Sequence, residues 1–259
     1  AYIIGYERVK GYNTTVQEYK IEKMVGNAQK CYKIDLKGFM PEGFRYNLSI
    51  VRILNEQNLT FMVSKEVLPA FDIYYQEGLR RPQMAYYHGE KTNLVLLPIS
   101  GPEISRPFYL YGEDYEGAWK AVIDSVIGNE DVCIFLWDSE KVNRAEYMTQ
   151  VLNTIKYARE KGMNFTTPCE IAKHFLLLQN ISAVISKSDD GSKITISVSN
   201  GNEEPVRGVT FKMKVPNNEE YVVKKGQIAR KTFSDNSCIY YLSTDLSSKE
   251  TKEIVIQKC

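Results

Sequence analysis

The sequence predicts an α/β domain over residues 1–178, followed by a small antiparallel β-sandwich over residues 179–259. Up to about residue 178, apolar residues alternate between helical spacing and short strand-like runs, a pattern typical of βα units around a parallel sheet. From residue 180 onwards they recur at every second position, as in strands with one buried face. The stretch MNFTTPCEIAKHF at 163–175 marks the change.

The first domain is predicted element by element from these runs. Helices are expected where apolar residues recur three or four positions apart, and strands where four to eight apolar residues stand between turn residues. Residues 8–43 contain four glycines and no sustained helical period, which predicts an insertion with a short hairpin. The predicted strands are 1–7, 59–64, 93–100, 132–137 and a short one at NFTT, and the predicted helices are 45–57, 116–128, 142–162 and one beginning at Pro168.

The second domain is predicted from a β-hairpin signal and from the strict alternation of apolar and polar residues. SAVISKSDDGSKITISVSN has Asp190-Gly191 between two alternating runs, which indicates a β-hairpin. Alternating apolar residues then continue through 209–215, 238–242 and 254–256. Six or seven short strands in about 80 residues favour a sandwich.

Composition excludes several classes of function. The chain has 259 residues, 43% hydrophobic and 25% charged, with a formal net charge of +1. A charge this small gives no reason to expect a nucleic-acid partner, and no apolar run is long enough for a membrane span. The five cysteines show no metal-ligand spacing, so no structural metal is expected, and a bridge between Cys238 and Cys259 stays open.

Five N-x-S/T sequons point to a location without fixing it. They begin at Asn13, Asn47, Asn58, Asn164 and Asn180. Sequons are acceptors for N-glycosylation only in a chain that crosses a secretory membrane. They are expected either by chance or in an extracellular or cell-surface protein, and we take the second as the prediction.

Several segments together resemble the polysaccharide deacetylase family, the carbohydrate esterases of the chitooligosaccharide deacetylase type. RILNEQNLTFMVSKEVL is similar to that family's leucine-rich helix and T-F-F-V strand, NLVLLPIS to its N-L-x-E-L-P-V-S segment, and G-M-N-F-T-T-P-C-E-I-A to its C-terminal signature. The resemblance covers about 1–7 and 44–178. It implies a distorted (β/α) barrel that acts on acetylated polysaccharides.

The family's catalytic apparatus is not reproduced in these segments. Family members hold a divalent metal with one Asp and two His, while a second Asp acts as base. Here the first strand offers Glu7 instead of paired aspartates, and no H-x-x-x-H occurs in the chain. The only histidines are His88 and His174. We therefore predict no metal and no other cofactor.

Candidate site residues follow from their places at strand ends, where a (β/α) barrel carries its active site. Glu7 ends one predicted strand and Asp138 follows another, and the two could perform acid–base chemistry on a glycoside. His88 lies in a tyrosine-rich loop. The alternative is that all three are ordinary loop residues. Candidate sugar-contacting residues are Arg81 of an Arg-Pro pair, Tyr87, Tyr109, Tyr111 and Trp137.

Two functions remain open from the sequence. One is a carbohydrate-active hydrolase with a reworked site, acting on extracellular or cell-surface glycans. The other is a pseudoenzyme, a catalytically inactive deacetylase-like protein that binds glycan or builds the cell envelope. Both functions imply a polysaccharide partner, and neither function implies a particular oligomeric state.

Overall fold

The computed structural model describes residues 4–7, 13–41, 46–64, 81–100, 115–135, 137, 143–234 and 236–259. The chain is mixed α/β and divides into two compact units, Ala1–Lys173 and His174–Cys259. The division falls inside the last helix, α5 (Pro168–Leu178), whereas the sequence placed the boundary at that helix's C-terminal end. Each unit is described by itself.

The first unit is built on a five-stranded sheet in the order β1-β2-β3-β5-β4. Strands β1, β2, β3 and β5 are parallel, and β4 pairs antiparallel with β5. The described strands form an open sheet with β1 and β4 at its edges, so the described part of this unit shows no closed barrel. Their bounds are β1 Ile4–Glu7, β2 Gly38–Pro41, β3 Phe61–Ser64, β4 Gln83–Tyr87 and β5 Glu90–Pro98.

Helix α1 (Thr14–Tyr32) replaces the insertion predicted for residues 8–43, and that prediction was wrong. Asn13 begins the helix by accepting a hydrogen bond from the Val16 N–H, which satisfies one of the free donors of the first turn. Gln17 and Ile21 form its buried face. Helix α1 and strand β2 complete a β1-α1-β2 unit, because parallel neighbouring strands require a crossover between them.

Helix α2 (Leu48–Glu56) has a more continuous apolar face than α1, and it lies where the sequence predicted a helix. Asn47 accepts from the Ile50 N–H at 3.1 Å, a second asparagine N-cap. Ile50, Val51, Ile53 and Leu54 are buried in a cluster with residues of β2, β3 and β5. This cluster forms the main core on one side of the sheet.

Helices α3 (Tyr115–Asn129), α4 (Ala145–Glu160) and α5 agree with the predicted positions. The predicted strand at 132–137 is not formed in the described residues of that range. Instead, the Ser100 N–H donates to Ile134 O at 2.9 Å, and Ser100 Oγ binds both the Ile134 N–H and Val132 O. The Ser100 side chain thus makes hydrogen bonds with the backbone groups that a neighbouring strand would otherwise bind.

Residues 164–167 do not form the predicted short strand either. At the start of α5, the Thr167 hydroxyl accepts a hydrogen bond from the Glu170 N–H.

The second unit contains two antiparallel sheets, one of four strands (β6-β7-β12-β9) and one of three (β10-β11-β8). The predicted hairpin is confirmed as β6–β7, with Asp190 and Gly191 in its turn. The strand bounds are β6 Ile181–Lys187, β7 Lys193–Asn200, β8 Val206–Pro216, β9 Tyr221–Lys225, β10 Gln227–Ser234, β11 Ser237–Leu246 and β12 Thr251–Lys258.

Buried residues of both sheets form one core in the second unit. Ile196, Val198, Ile254 and Ile256 from the four-stranded sheet lie in the same cluster as Val209, Val215, Tyr240 and Leu242 from the three-stranded sheet. Cys238 belongs to this core as a free thiol, and Cys259 is exposed and also free. The bridge that the sequence left open between them is therefore not formed.

Candidate functional site

The carboxyl ends of the four parallel strands meet at one edge of the sheet in the first unit. Glu7 pairs with Pro41, and Ser64 pairs with Pro98, so the strands end level with one another. Open α/β sheets bind ligands at this edge, because the loops that follow the strands converge there. The segments after these strands, 8–12, 42–45, 65–80 and 101–114, lie outside the described residues.

Glu7 is the last residue of β1 and therefore lies at this carboxyl edge. Glu7 and Pro98 are three strands apart, a distance of about 14 Å at the usual strand spacing. Asp138, its proposed partner, lies outside the described residues, as do Tyr109 and Tyr111. The structure thus places the backbone of Glu7 at the edge where the sequence expected both residues.

His88 lies at the opposite edge of the sheet from Glu7. Tyr87 and Glu90 close the β4–β5 hairpin, and His88 and Gly89 between them have φ of +50° and +87°. From this turn β5 runs from Glu90 to Pro98 before it reaches the carboxyl edge, which corresponds to about 26 Å of strand. The structure does not bring His88 together with Glu7, because β4 runs antiparallel and directs its hairpin away from that edge.

Tyr87 shares this hairpin, so it does not line the carboxyl edge either. Its ring meets the His88 ring edge-on, with centroids 4.3 Å apart. The side chain packs against the cluster beneath helix α2. Tyr87 therefore stabilises the hairpin base, while the His88 side chain is exposed.

Arg81 forms hydrogen bonds at the C-terminal end of helix α3. Its Nε donates to Asp131 Oδ1 at 2.7 Å, and its Nη2 donates to the Asn129 carbonyl at 3.1 Å. A cation at a helix C-terminus is stabilised by the free carbonyls and the helix dipole. The arrangement fixes the start of β4 to the end of α3.

Trp137 lies in an aromatic cluster formed with helices α3 and α4. Its ring stacks on Phe135 with centroids 6.0 Å apart and meets the fully buried Trp119 at 6.0 Å. Val151 completes the cluster from α4. The Trp137 Nε1 donor is buried and has no hydrogen-bond partner among the described residues. Trp137 follows the segment bound to Ser100, two residues beyond β5, so it stands near the carboxyl edge.

A tyrosine–serine pair at this edge was not predicted from the sequence. Ser64, the buried last residue of β3, hydrogen-bonds the hydroxyl of Tyr46, which precedes helix α2. Burial raises the pKa of Tyr46, and the hydrogen bond with Ser64 offsets part of this effect by lowering the pKa. Because Ser64 closes an apolar run and Tyr46 stands outside every motif, no sequence pattern joins them. Ser64 O also accepts from the Ile99 N–H at 3.2 Å.

Metal-ligating groupings are absent from the described residues: no three His, Cys, Asp or Glu side chains there are close enough to hold an ion. Within the same residues, no helix combines the length and apolarity needed to cross a membrane. Among the described residues, this edge carries the hydroxyls of Tyr46 and Ser64 and the indole of Trp137.

Comparison with known proteins finds no family model that matches the chain and no curated protein that matches its sequence.

Proposed function

We propose that the first unit is a polysaccharide-deacetylase-like domain that binds glycan at or outside the cell surface without metal-dependent catalysis. One observation carries this proposal. A deacetylase of this kind needs two histidines at its metal, and this chain has only His88 and His174, in no H-x-x-x-H spacing. His88 lies at the sheet edge opposite Glu7.

The architecture supports the fold that this proposal assumes. Strands β1, β2 and β3 are parallel neighbours joined through α1 and α2, which is the repeat that a (β/α) barrel uses. We take the first unit as a distorted form of such a barrel. In the second unit, two antiparallel sheets share one core, which supports a β-sandwich.

The proposed glycan site is the carboxyl edge with Glu7, Tyr46, Ser64 and Trp137. In this proposal the Tyr46 hydroxyl forms a hydrogen bond with the sugar, and the indole of Trp137 provides an aromatic contact. Sugars are bound by aromatic faces together with a few fixed hydrogen-bonding groups.

A first experiment measures binding of acetylated chitooligosaccharides to the full chain by calorimetry. Tyr46→Phe removes one hydroxyl at the carboxyl edge and is expected to weaken binding about threefold to tenfold, the cost of a lost hydrogen bond. Tyr86→Phe removes the same group from an exposed residue of β4, near the opposite edge, and is the matched control. Equal effects of the two variants would place the glycan elsewhere.

The second candidate function is hydrolysis through Glu7 and Asp138, and one observation favours it. Glu7 ends a parallel strand at the edge where such enzymes carry catalytic groups. Shortening of the same oligosaccharides tests cleavage of the glycoside, and acetate release tests deacetylation. Glu7→Gln is the variant that keeps size but loses the charge. Metal content after incubation with Zn²⁺, Co²⁺ or Ni²⁺ provides the deciding measurement. Stoichiometric metal with acetate release overturns the non-catalytic proposal.

A further inference from the structure

Strand β6 has an open side in the second unit. It is the first strand in the order β6-β7-β12-β9, so β7 pairs with one side of it, and none of the described strands pairs with the other side. An edge of this kind carries a row of backbone N–H and C=O groups without strand partners. A further strand that adds to the sheet would bind this row.

Hydrogen bonds at the two ends of β6 show which of its backbone groups face the open side. The Ser188 N–H donates to Lys193 O, and the Gly201 N–H donates to Asn180 O, each at 2.9 Å. Both bonds continue the β6–β7 register, in which hydrogen-bonded pairs alternate with non-bonded pairs. The even-numbered residues of β6 therefore bind β7. The odd-numbered residues direct their N–H and C=O to the open side, and they are Ile181, Ala183, Ile185 and Lys187.

Apolar side chains project from both faces of β6. Ile185 is the cross-strand neighbour of the buried Ile196, so it lies on the core side of the sheet, yet it is 64% exposed. Val184 projects from the opposite face and is 68% exposed. Exposed β-branched residues on both faces of an edge strand favour association with another strand.

The other three edge strands of the second unit carry protection against such association. Lysines, arginines and irregular pairing all discourage the addition of a strand. Each of β8, β9 and β10 contains at least two basic residues, and its pairing with the neighbouring strand shows a shift in register. Strand β6 pairs with β7 in one continuous register, and its single charged residue is Lys187 at its end. Among the four edges, β6 is therefore the one suited to pairing.

We propose that β6 pairs antiparallel with β6 of a second copy of this chain, so that the two four-stranded sheets join into one. Identical strands pair in this way about a twofold axis, the commonest symmetry of protein dimers. Val184 is the middle residue of β6, so an axis at Val184 gives the longest overlap. In this register Ala183 lies opposite Ile185 of the second copy, and Ile181 lies opposite Lys187.

Backbone and charge complementarity favour a second copy as the partner. Every one of these pairs joins residues whose N–H and C=O face the open side, and the four pairs supply about eight hydrogen bonds. Lys187 lies opposite an apolar residue, whereas an axis at Lys187 would bring two lysines together and shorten the overlap. The two Val184 side chains lie opposite each other as a non-hydrogen-bonded pair, in which side chains come closest.

The contact is small, so we expect a weak and reversible dimer. A strand of seven residues extends over about 23 Å, and one pair of strands buries less than the standard interface of about 1,600 Å². Sedimentation equilibrium of the full chain from about 5 to about 500 µM is expected to show a monomer–dimer equilibrium with a Kd of about 10–500 µM. A chain that stays monomeric over this range overturns the proposal.

Val184 gives a test that is specific for the register. Val184→Lys places like charges opposite each other at the axis and is expected to weaken the dimer about tenfold, and Val184→Glu is expected to do the same. An equimolar mixture of the two variants is expected to restore dimers, because a lysine then lies opposite a glutamate. A mixture that stays monomeric overturns pairing about Val184.

Two further variants control for the position and for the backbone. Val222→Lys changes an exposed valine of β9, at the other edge of the same sheet, and is expected to leave the dimer unchanged. Equal dissociation by Val222→Lys and Val184→Lys overturns the assignment to β6. Ala183→Pro removes an N–H that faces away from β7, and it is expected to dissociate the dimer without loss of a bond within the sheet. Val184→Lys keeps every backbone group, so the test stands if Ala183→Pro does not fold.

Assembly beyond the dimer identifies a different pairing. Open-ended polymers would show that β6 binds another edge of the next copy, and they overturn the twofold arrangement. The proposed dimer does not depend on the glycan binding of the first unit. Tyr46→Phe is expected to dimerise normally, and Val184→Lys is expected to bind chitooligosaccharide as the unaltered chain does, so the two proposals can fail separately.

Discussion

Arg81 donates from Nε to Oδ1 of Asp131 at 2.7 Å, and this bond joins the start of β4 to the residues that follow helix α3. The Asp131 side chain is only 10% exposed, whereas that of Arg81 is 62% exposed. The bond therefore satisfies a nearly buried carboxylate and gives Arg81 a role in the fold.

Arg81→Ala is expected to lower the free energy of unfolding by about 1 kcal/mol, since a half-exposed charged hydrogen bond is lost. Chemical denaturation measures this change. Arg144→Ala is the control, because Arg144 is exposed and makes no capping hydrogen bond at the start of α4. Unchanged stability combined with weaker glycan binding would return Arg81 to the substrate-contacting role that the sequence suggested.

The two asparagine N-caps of the first unit give a second prediction. Asn13→Ala and Asn47→Ala are each expected to destabilise the unit by about 1 kcal/mol, because a first-turn N–H of α1 or α2 loses its acceptor. Asn47→Asp keeps an acceptor oxygen and is expected to restore stability. Thermal denaturation followed by circular dichroism measures both effects.

Asn164→Ala is the matched control for these caps, since Asn164 is an exposed sequon asparagine outside any helix. If Asn164→Ala destabilised the protein as much as Asn13→Ala, the capping hydrogen bonds would make no specific contribution to stability.

Two glycines of the first unit are expected to respond to alanine with opposite signs. At Gly38 an added Cβ meets the Phe61 ring at under 3 Å, so Gly38→Ala is expected to destabilise the sheet by about 1–3 kcal/mol through overpacking. At Gly26, inside helix α1, the Cβ meets nothing within 4 Å. Gly26→Ala is therefore expected to stabilise the protein by about 0.5–1 kcal/mol.

Urea denaturation of both glycine variants provides the measurement. The double variant Gly38→Ala with Phe61→Leu is expected to recover part of the loss, because the smaller side chain leaves room for the new methyl group. Failure to recover would mean that the backbone of β2, and not the Phe61 ring, limits position 38.

The β6–β7 turn gives a prediction about acid stability. Asp190 accepts from the hydroxyls of Ser188 and Ser192 and from the Ser192 N–H, and these bonds lower the pKa of Asp190 from 3.8 to about 2. A carboxyl whose pKa is lowered by folding stabilises the folded state above its unfolded pKa. This contribution is lost as the pH falls from about 4 through about 2.

Ser188→Ala is expected to raise the pKa of Asp190 toward 3.8 and to move the acid-induced loss of stability to higher pH. A carboxyl titration by NMR measures the first effect, and thermal denaturation at low pH measures the second. Asp189→Asn, one residue earlier, is expected to leave both unchanged. An Asp190 pKa near 3.8 in the unaltered chain would contradict this account of the turn.

Strongly periodic elements of the fold were predictable from the sequence, and weakly periodic ones were not. Helix α2 has four buried apolar residues in nine, so its spacing alone reveals it. Helix α1 buries only Gln17 and Ile21 in nineteen residues, and it contains Gly26, a residue with low helix propensity. Its stability depends on the Asn13 cap and on packing against the sheet, and neither is visible as a hydrophobic period.

In the first unit, the remaining differences between the predicted and the observed structure arise from tertiary contacts. VCIFLW has the composition of a buried strand, yet the Ser100 hydroxyl takes up its backbone groups at Val132 and Ile134. His88 precedes a strand in the chain, but only the antiparallel register of β4 with β5 shows which edge the hairpin reaches. The pairing of Tyr46 with Ser64 likewise needs the fold, since no local motif contains both residues.

The sequon asparagines differ in the atom that would carry a glycan. Asn13 and Asn47 cap their helices through Oδ1, so the capping bond does not use the amide nitrogen that an oligosaccharide would occupy. Asn180 donates from Nδ2 to Asn202 Oδ1 at 3.0 Å, next to a buried asparagine. In a glycosylating host, we expect a glycan at the two caps to leave the capping bonds intact, and a glycan at Asn180 to disturb its hydrogen bond to Asn202.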